Sequence, residues 1–171
     1  SYERVLTALR HKEPDRIPFD LGACVLTGMN VSAYRALRKF LGLPEAAIDI
    51  QDMTQQLARI DDDVVNLLKV DVRGVDPNPI AVAPMRSEPR LSPDGKYTLM
   101  TDELGIGWRM PVDGGHYFDM VSHPLEDAET VEDLSAYHMP AGDDPSRFTG
   151  MKARADFYVN QEKRAYILGR H

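Results

Sequence analysis

Six side chains in this sequence combine a reactive type with a position in or just past a stretch that reads as a strand. Asp20 lies near the end of "RIPFDLG" and Cys24 two residues past it, Arg73 and Asp76 lie in the middle and at the end of "VDVRGVD", and Arg170 and His171 follow "AYIL". The two aspartates and the histidine are the residue types for general acid–base work near neutral pH. The arginines are the types for pairing with an anionic substrate. Each also has a plainer reading. Asp20 either acts on a substrate or bonds the backbone N–H groups of its own turn. Asp76 either anchors a cationic or N–H-bearing substrate or caps the turn before Pro77. Arg73 pairs with a substrate anion or, more often in such a setting, with a neighbouring aspartate. Cys24 is more often a small buried hydrophobe than a nucleophile. His171 is a ligand or acid–base group or, equally, a disordered last residue of a fragment.

Other reactive-looking groups weigh less. His116 and His123 have no second ligand at a familiar metal spacing, and Asp61-Asp62-Asp63 lacks the glycine and closing glutamate of a calcium loop. Trp108, Tyr117 and Phe118 form either a stacking platform or, more commonly, the packing of a hairpin. The single cysteine leaves no internal disulfide and no multi-cysteine zinc set.

The elements that position these residues are legible from periodicity and punctuation. Val5, Leu6 and Leu9 predict a short helix over 2–11, stopped at Pro14. Ile17, Phe19 and Leu21 alternate with Pro18 and Asp20, which predicts a strand over 16–21 at a sheet edge. Asn30 or Ser32 caps the next helix, and Gly42 closes it. A second helical stripe runs over 52–69, with the three aspartates as a possible restart. A β-branched strand then spans 70–76.

Residues 86–125 change character. "SPDGK" and Asp113-Gly114-Gly115 are turn signals in an inserted antiparallel meander. Thr130 and Asp133 make a capping box, Asp144-Pro145 opens a helix expected to reach Arg164, and "AYILGRH" closes the chain as a strand. Strands separated by helices imply parallel pairing.

At 171 residues, with 43% hydrophobic and 27% charged residues, the chain has the composition of a folded globular protein. A net charge of -7 argues against phosphate-backbone binding, and no apolar run approaches the ~20 residues of a bilayer span. Nucleic acid and membrane are therefore not expected partners. Ser1-Tyr2-Glu3-Arg4 enters an amphipathic pattern directly, so a cytoplasmic location is expected. A final strand with nothing packed after it leaves a sheet edge open, and a closed barrel typically needs about 250 residues. A portion of a larger α/β protein is the expectation, ahead of a small α+β domain.

"YERVLTALRHKEPDRIPFDLG" resembles the opening of uroporphyrinogen decarboxylase-like proteins, and "AYRALRKFLGL", "VDVRGVD", "DELGIGW", "HPLEDAETVEDLSAY" and "AYILGRH" extend the likeness over almost the whole chain. The resemblance implies α/β architecture: residues 1–171 as the N-terminal portion of one (β/α)8 TIM barrel. That portion holds about three parallel strands with helices, plus a β insertion at about 86–125. In such a barrel function gathers at the C-terminal ends of strands. On that rule Asp20, Asp76 and His171 are the expected catalytic residues, and Arg73, Cys24 and Arg170 the expected substrate-binding ones. Asp76 falls near the aspartate that meets pyrrole nitrogens in the decarboxylases. Those enzymes carry Met-Arg-Gln-Ala-Gly-Arg-Tyr after their first strand, and alignment on "YRALR" puts Val25 and Met29 at the two arginine positions. Bidentate clamping of propionates is lost there.

The resemblance then implies a corrinoid-dependent methyltransferase or demethylase acting on a small methylated substrate. Zinc and a corrinoid belong to the full-length parent. No metal or cofactor is expected on this chain alone, and by itself it is expected to be inactive. Its expected partners are the small-molecule substrate, a corrinoid protein, and the remainder of the barrel or another copy of the chain. The alternatives are uroporphyrinogen decarboxylation and a non-catalytic truncated-barrel assembly module.

Overall fold

In a computed structural model, residues 1–79 and 86–168 are described. The expected site residues Arg170 and His171 lie outside them. The chain divides into two units. One comprises Ser1–Asp52, Leu57–Pro77 and the chain from Phe148 onward; the other comprises Met53–Gln56 and Asn78–Arg147.

The first unit opens with α1 (Tyr2–Leu9), whose Ser1 hydroxyl accepts the Arg4 N–H. It continues through β1 (Met29–Asn30), α2 (Val31–Phe40), β2 (Ile50–Asp52), β3 (Leu57–Ala58), α3 (Asp62–Leu67) and β4 (Val72–Val75). Asn30 caps α2 by accepting the Ser32 N–H. Gly42, at φ +69°, closes it: its N–H bonds the Lys39 carbonyl and the Leu43 N–H bonds Arg38. These are the two bonds of a Schellman cap. Tyr34, Ala58, Ile60, Val64, Val65 and Val70 are buried together, with Leu21, Leu37 and Leu41 packed around them.

Three expectations need correction here. Residues 16–21 do not form a ladder strand. Pro18 has no N–H to give, and the Phe19 N–H donates to the Asp71 side chain at 3.0 Å rather than to a backbone carbonyl. The segment still runs beside β4, since the Asp71 N–H donates to the Phe19 carbonyl at 2.8 Å. A helix over 52–69 is replaced by the β2–β3 pair and by α3, which begins only after Asp61. Leu57 and Ala58 are buried as β residues, and Gln56 takes a left-handed φ of 53° between the strands. The helix expected from Asp144 to Arg164 is interrupted. A 3-10 turn covers Pro145–Phe148, Gly150 sits at φ +77°, and α5 runs over Met151–Asn160.

A last strand, β9 (Ala165–Leu168), pairs parallel with β4 from Val72↔Ala165 to Val75↔Leu168. The architecture is mixed α/β: this parallel pair, a small antiparallel sheet in the order β1-β3-β2, and a four-stranded antiparallel sheet. Among the described residues the parallel ladder has two strands and no barrel closes.

The second unit holds that four-stranded sheet: β5 (Ser87–Leu91), β6 (Tyr97–Thr101), β7 (Gly107–Pro111) and β8 (Asp119–Ser122) in sequential order, followed by α4 (Val131–Ala136). Asp102 organises the β6–β7 turn, accepting the Leu104 and Ile106 N–H groups on one oxygen and the Trp108 indole N–H on the other at 2.9 Å. The Thr130–Asp133 capping box opens α4. Among the described residues no helix is long and apolar enough to cross a membrane.

Candidate active site at the end of β4

One of the unmet hydrogen-bonding demands in the first unit, beside the Arg38 and Arg73 Nε atoms, lies one residue past β4. Asp76 Oδ2 accepts from the Gln51 amide at 3.0 Å, whereas its Oδ1 is buried with no hydrogen-bond partner among the described residues. The Arg154 guanidinium donates to the Asp76 backbone carbonyl at 3.2 Å and holds the exit of the strand. Buried carboxylate oxygens are ordinarily matched by donors, so Oδ1 is an acceptor awaiting one.

Side chains alternate along a strand, so Gly74 and Asp76 share a face of β4 and Arg73 takes the other. Gly74 is required: a Cβ there would lie 2.2 Å from the Ala23 carbonyl oxygen. The Leu21–Ala23 turn thus sits directly on β4, and Gly22 at φ +76° makes that turn. Beside it is a cleft of about 250 Å³, open to solvent, whose lining includes Gly22, Gln51, Arg59, Asp61, Arg73 and Tyr158.

Arg73 faces the helices. Its guanidinium meets Asp62 at 2.5 Å and Glu162 at 3.3 Å and lies 4.9 Å above the Tyr158 ring. Its charge is matched within the chain. Asp20 is half-buried and fully engaged, with Oδ1 accepting the Ala23 N–H at 3.1 Å and Oδ2 the Thr27 hydroxyl at 3.0 Å. Burial pushes its carboxyl above the usual carboxylate range, against the pull of those two bonds. Cys24 is half-buried, its sulfur 3.8 Å from the Thr27 hydroxyl. Asp20 and Cys24 therefore meet through Thr27, and the structure brings neither to Asp76 by any direct bond it records.

Two groups escaped the sequence reading. Asp71, its side chain 2% exposed, binds the Phe19 N–H, Arg4, the Ser1 nitrogen and Arg16, the last at 2.9 Å. An acid flanked by Val70 and Val72 inside a buried strand was the available signal, because such a group needs charged partners. Burial raises the Asp71 carboxyl, but bonds from the Ser1 nitrogen, Phe19 and Arg4 outweigh it and hold the group below its ordinary value. Gln51 gave no signal, since only the tertiary fold brings it to Asp76.

The Asp61-Asp62-Asp63 run is spent on arginines. Asp61 and Asp63 pair with the buried Arg38 at 2.7 and 2.9 Å, and Asp62 with Arg73. In the second unit Phe118 is buried, and Tyr117 is exposed. Among the described residues no three His, Cys, Asp or Glu side chains group as a metal site. Compared with protein-family models, with curated proteins and with solved structures, the chain returns no match.

Proposed function

We propose that this chain is the N-terminal portion of a uroporphyrinogen decarboxylase-like (β/α)8 barrel. The full-length parent is then a corrinoid-dependent methyltransferase or demethylase acting on a small methylated substrate. The observation that carries the barrel reading is the order of three chain segments. Residues 19–23 run alongside 71–74, through the Phe19–Asp71 bonds and the Ala23–Gly74 contact. β4 in turn pairs in parallel with β9. Sequential parallel neighbours joined through helices are how such a barrel begins.

At the end of β4, Asp76 Oδ1 is the acceptor for an N–H or cationic group of the substrate. Val25 and Met29 supply no guanidinium where a tetracarboxylate porphyrinogen would need one, which favours methyl transfer over decarboxylation. Among the described residues no three His, Cys, Asp or Glu side chains group as a zinc site. On this reading zinc and the corrinoid belong to the rest of the parent.

The test is to express the full-length parent, determine its zinc content, and measure methyl exchange with methylcobalamin. Zinc near one per chain with methyl transfer is the expected result. No zinc and no transfer, or formation of coproporphyrinogen from uroporphyrinogen, overturns it. One observation favours the assembly-module reading. β9 pairs on one side with β4 among the described residues, and Leu168 is 65% exposed. A monomer by size exclusion with light scattering counts against that reading.

A further inference from the structure

We propose that Gln51 is the positioning residue of the Asp76 carboxylate, fixing Oδ2 so that Oδ1 alone receives the N–H of a cationic ligand. The inference rests on the assignment of Asp76 above and extends it to a residue of a different sheet.

Three observations on Gln51 converge. The β2–β3 register pairs Ile50 with Ala58 and Asp52 with Leu57, so two steps on β2 oppose one on β3. Gln51 is the extra residue of that bulge, and bulges re-aim the side chain they carry. Its amide then donates to Asp76 Oδ2 at 3.0 Å. Gln51 also lines the cleft beside the Leu21–Ala23 turn; Asp76 does not, so Gln51 is the side chain that joins that cleft to the buried acid behind it.

The donor choice matters. The Gln51 amide is neutral and the Arg154 guanidinium is bonded to the Asp76 backbone carbonyl rather than to its side chain, so no cation pairs directly with the carboxylate oxygens among the described residues. The remaining oxygen keeps its demand for a donor, and a ligand with an N–H and a positive charge meets it best. A quaternary ammonium offers charge without the hydrogen bond and is the natural control.

The experiment uses the protein labelled with 15N-glutamine, with imidazolium chloride as probe and tetramethylammonium chloride as control. Calorimetry gives the two affinities, and the Gln51 side-chain amide resonance reports the site. Imidazolium is expected to shift that resonance and to bind more tightly than tetramethylammonium. Asp76→Asn abolishes the preference. Gln51→Leu, and Gln51→Met as the closer match in shape, lower imidazolium affinity by about tenfold, the scale of one hydrogen bond to a charged group. They leave tetramethylammonium unchanged, which a general loss of structure does not do. If Asp76→Asn removes the preference but both Gln51 variants keep it, the role of Gln51 is overturned and that of Asp76 stands. If the unaltered protein shows no preference, the assignment of Asp76 falls and this inference falls with it.

Discussion

Phe19 and Asp71 exchange two hydrogen bonds, but only one of them is backbone to backbone. The Asp71 N–H donates to the Phe19 carbonyl at 2.8 Å, and the Phe19 N–H donates to the Asp71 carboxylate at 3.0 Å. A side chain has taken the place of a ladder carbonyl, and Arg4 and Arg16 balance the charge this brings inside.

Replacing that carboxylate is expected to be costly. Asp71→Asn leaves Arg4 without a buried counter-charge and should destabilise the fold by about 3 kcal/mol, the scale for breaking a buried pair. Urea denaturation at neutral pH measures it. The Asp71 carboxyl is held below its ordinary value in the fold. Its contribution is therefore present above the unfolded value of about 3.9 and lost as pH falls through the folded one. The variant should show a shallower acid limb, and an unchanged midpoint at pH 7 would contradict the assignment.

Asp20 is expected to behave oppositely. Burial raises its folded value, so the native state holds the proton more tightly than the unfolded chain. Stability then increases as pH falls from the folded value toward about 3.9, and declines on the way back up. Asp20→Asn keeps an acceptor for the Ala23 N–H and removes the titration. Its denaturation midpoint should vary less over that window than the parent's, and an equal variation means Asp20 is not the titrating group.

Two glycines separate crowding from conformation. At Gly74 a Cβ would strike the Ala23 carbonyl at 2.2 Å, while at Gly42 nothing lies within 4 Å and only the φ of +69° is unfavourable. Gly74→Ala should cost about 2–3 kcal/mol through backbone displacement, and Gly42→Ala about 1 kcal/mol through the left-handed conformation. Thermal or urea unfolding of the pair gives the order, and the reverse order would show that the Leu21–Ala23 turn yields easily.

Arg38 is 5% exposed and holds Asp61, Asp63 and the Pro44 carbonyl. Arg38→Met keeps the aliphatic packing and strips all three partners. The expected loss is about 3 kcal/mol, with α3 becoming less protected in hydrogen exchange. Unaltered protection of Val64 and Val65 would mean the aspartates hold the helix start without the arginine.

Where chain-local chemistry decides the outcome, the sequence was a good guide. Asn30 and Gly42 bound α2 because a cap is satisfied within a few residues. The turns at Asp94-Gly95 and Asp113-Gly114 place the meander strands for the same reason. It misled where a long-range partner intervened. The stripe over 52–69 looked helical, since Leu57 and Ile60 suit either period, yet strand pairing with Ile50 and Met29 claimed the first of its turns. The single residue Gly150 divided the long helix after Asp144, a cost that composition alone did not reveal. At the site, Asp76 was legible as an acid at a strand exit. Its partner Gln51 was not, because neither residue type nor spacing announces a contact made across 25 residues.

One hydrogen bond has a consequence for dissection of the chain. The Phe118 N–H, in the middle of the meander, donates to the Thr54 carbonyl at 2.7 Å, and Thr54 belongs to the four-residue stretch Met53–Gln56 that joins the second unit. Excising 78–147 as a cassette would therefore leave part of its own wall behind in the donor. A graft into another scaffold has to carry two pieces of sequence, and a library that swaps only the continuous one should yield insertions with Phe118 newly wetted.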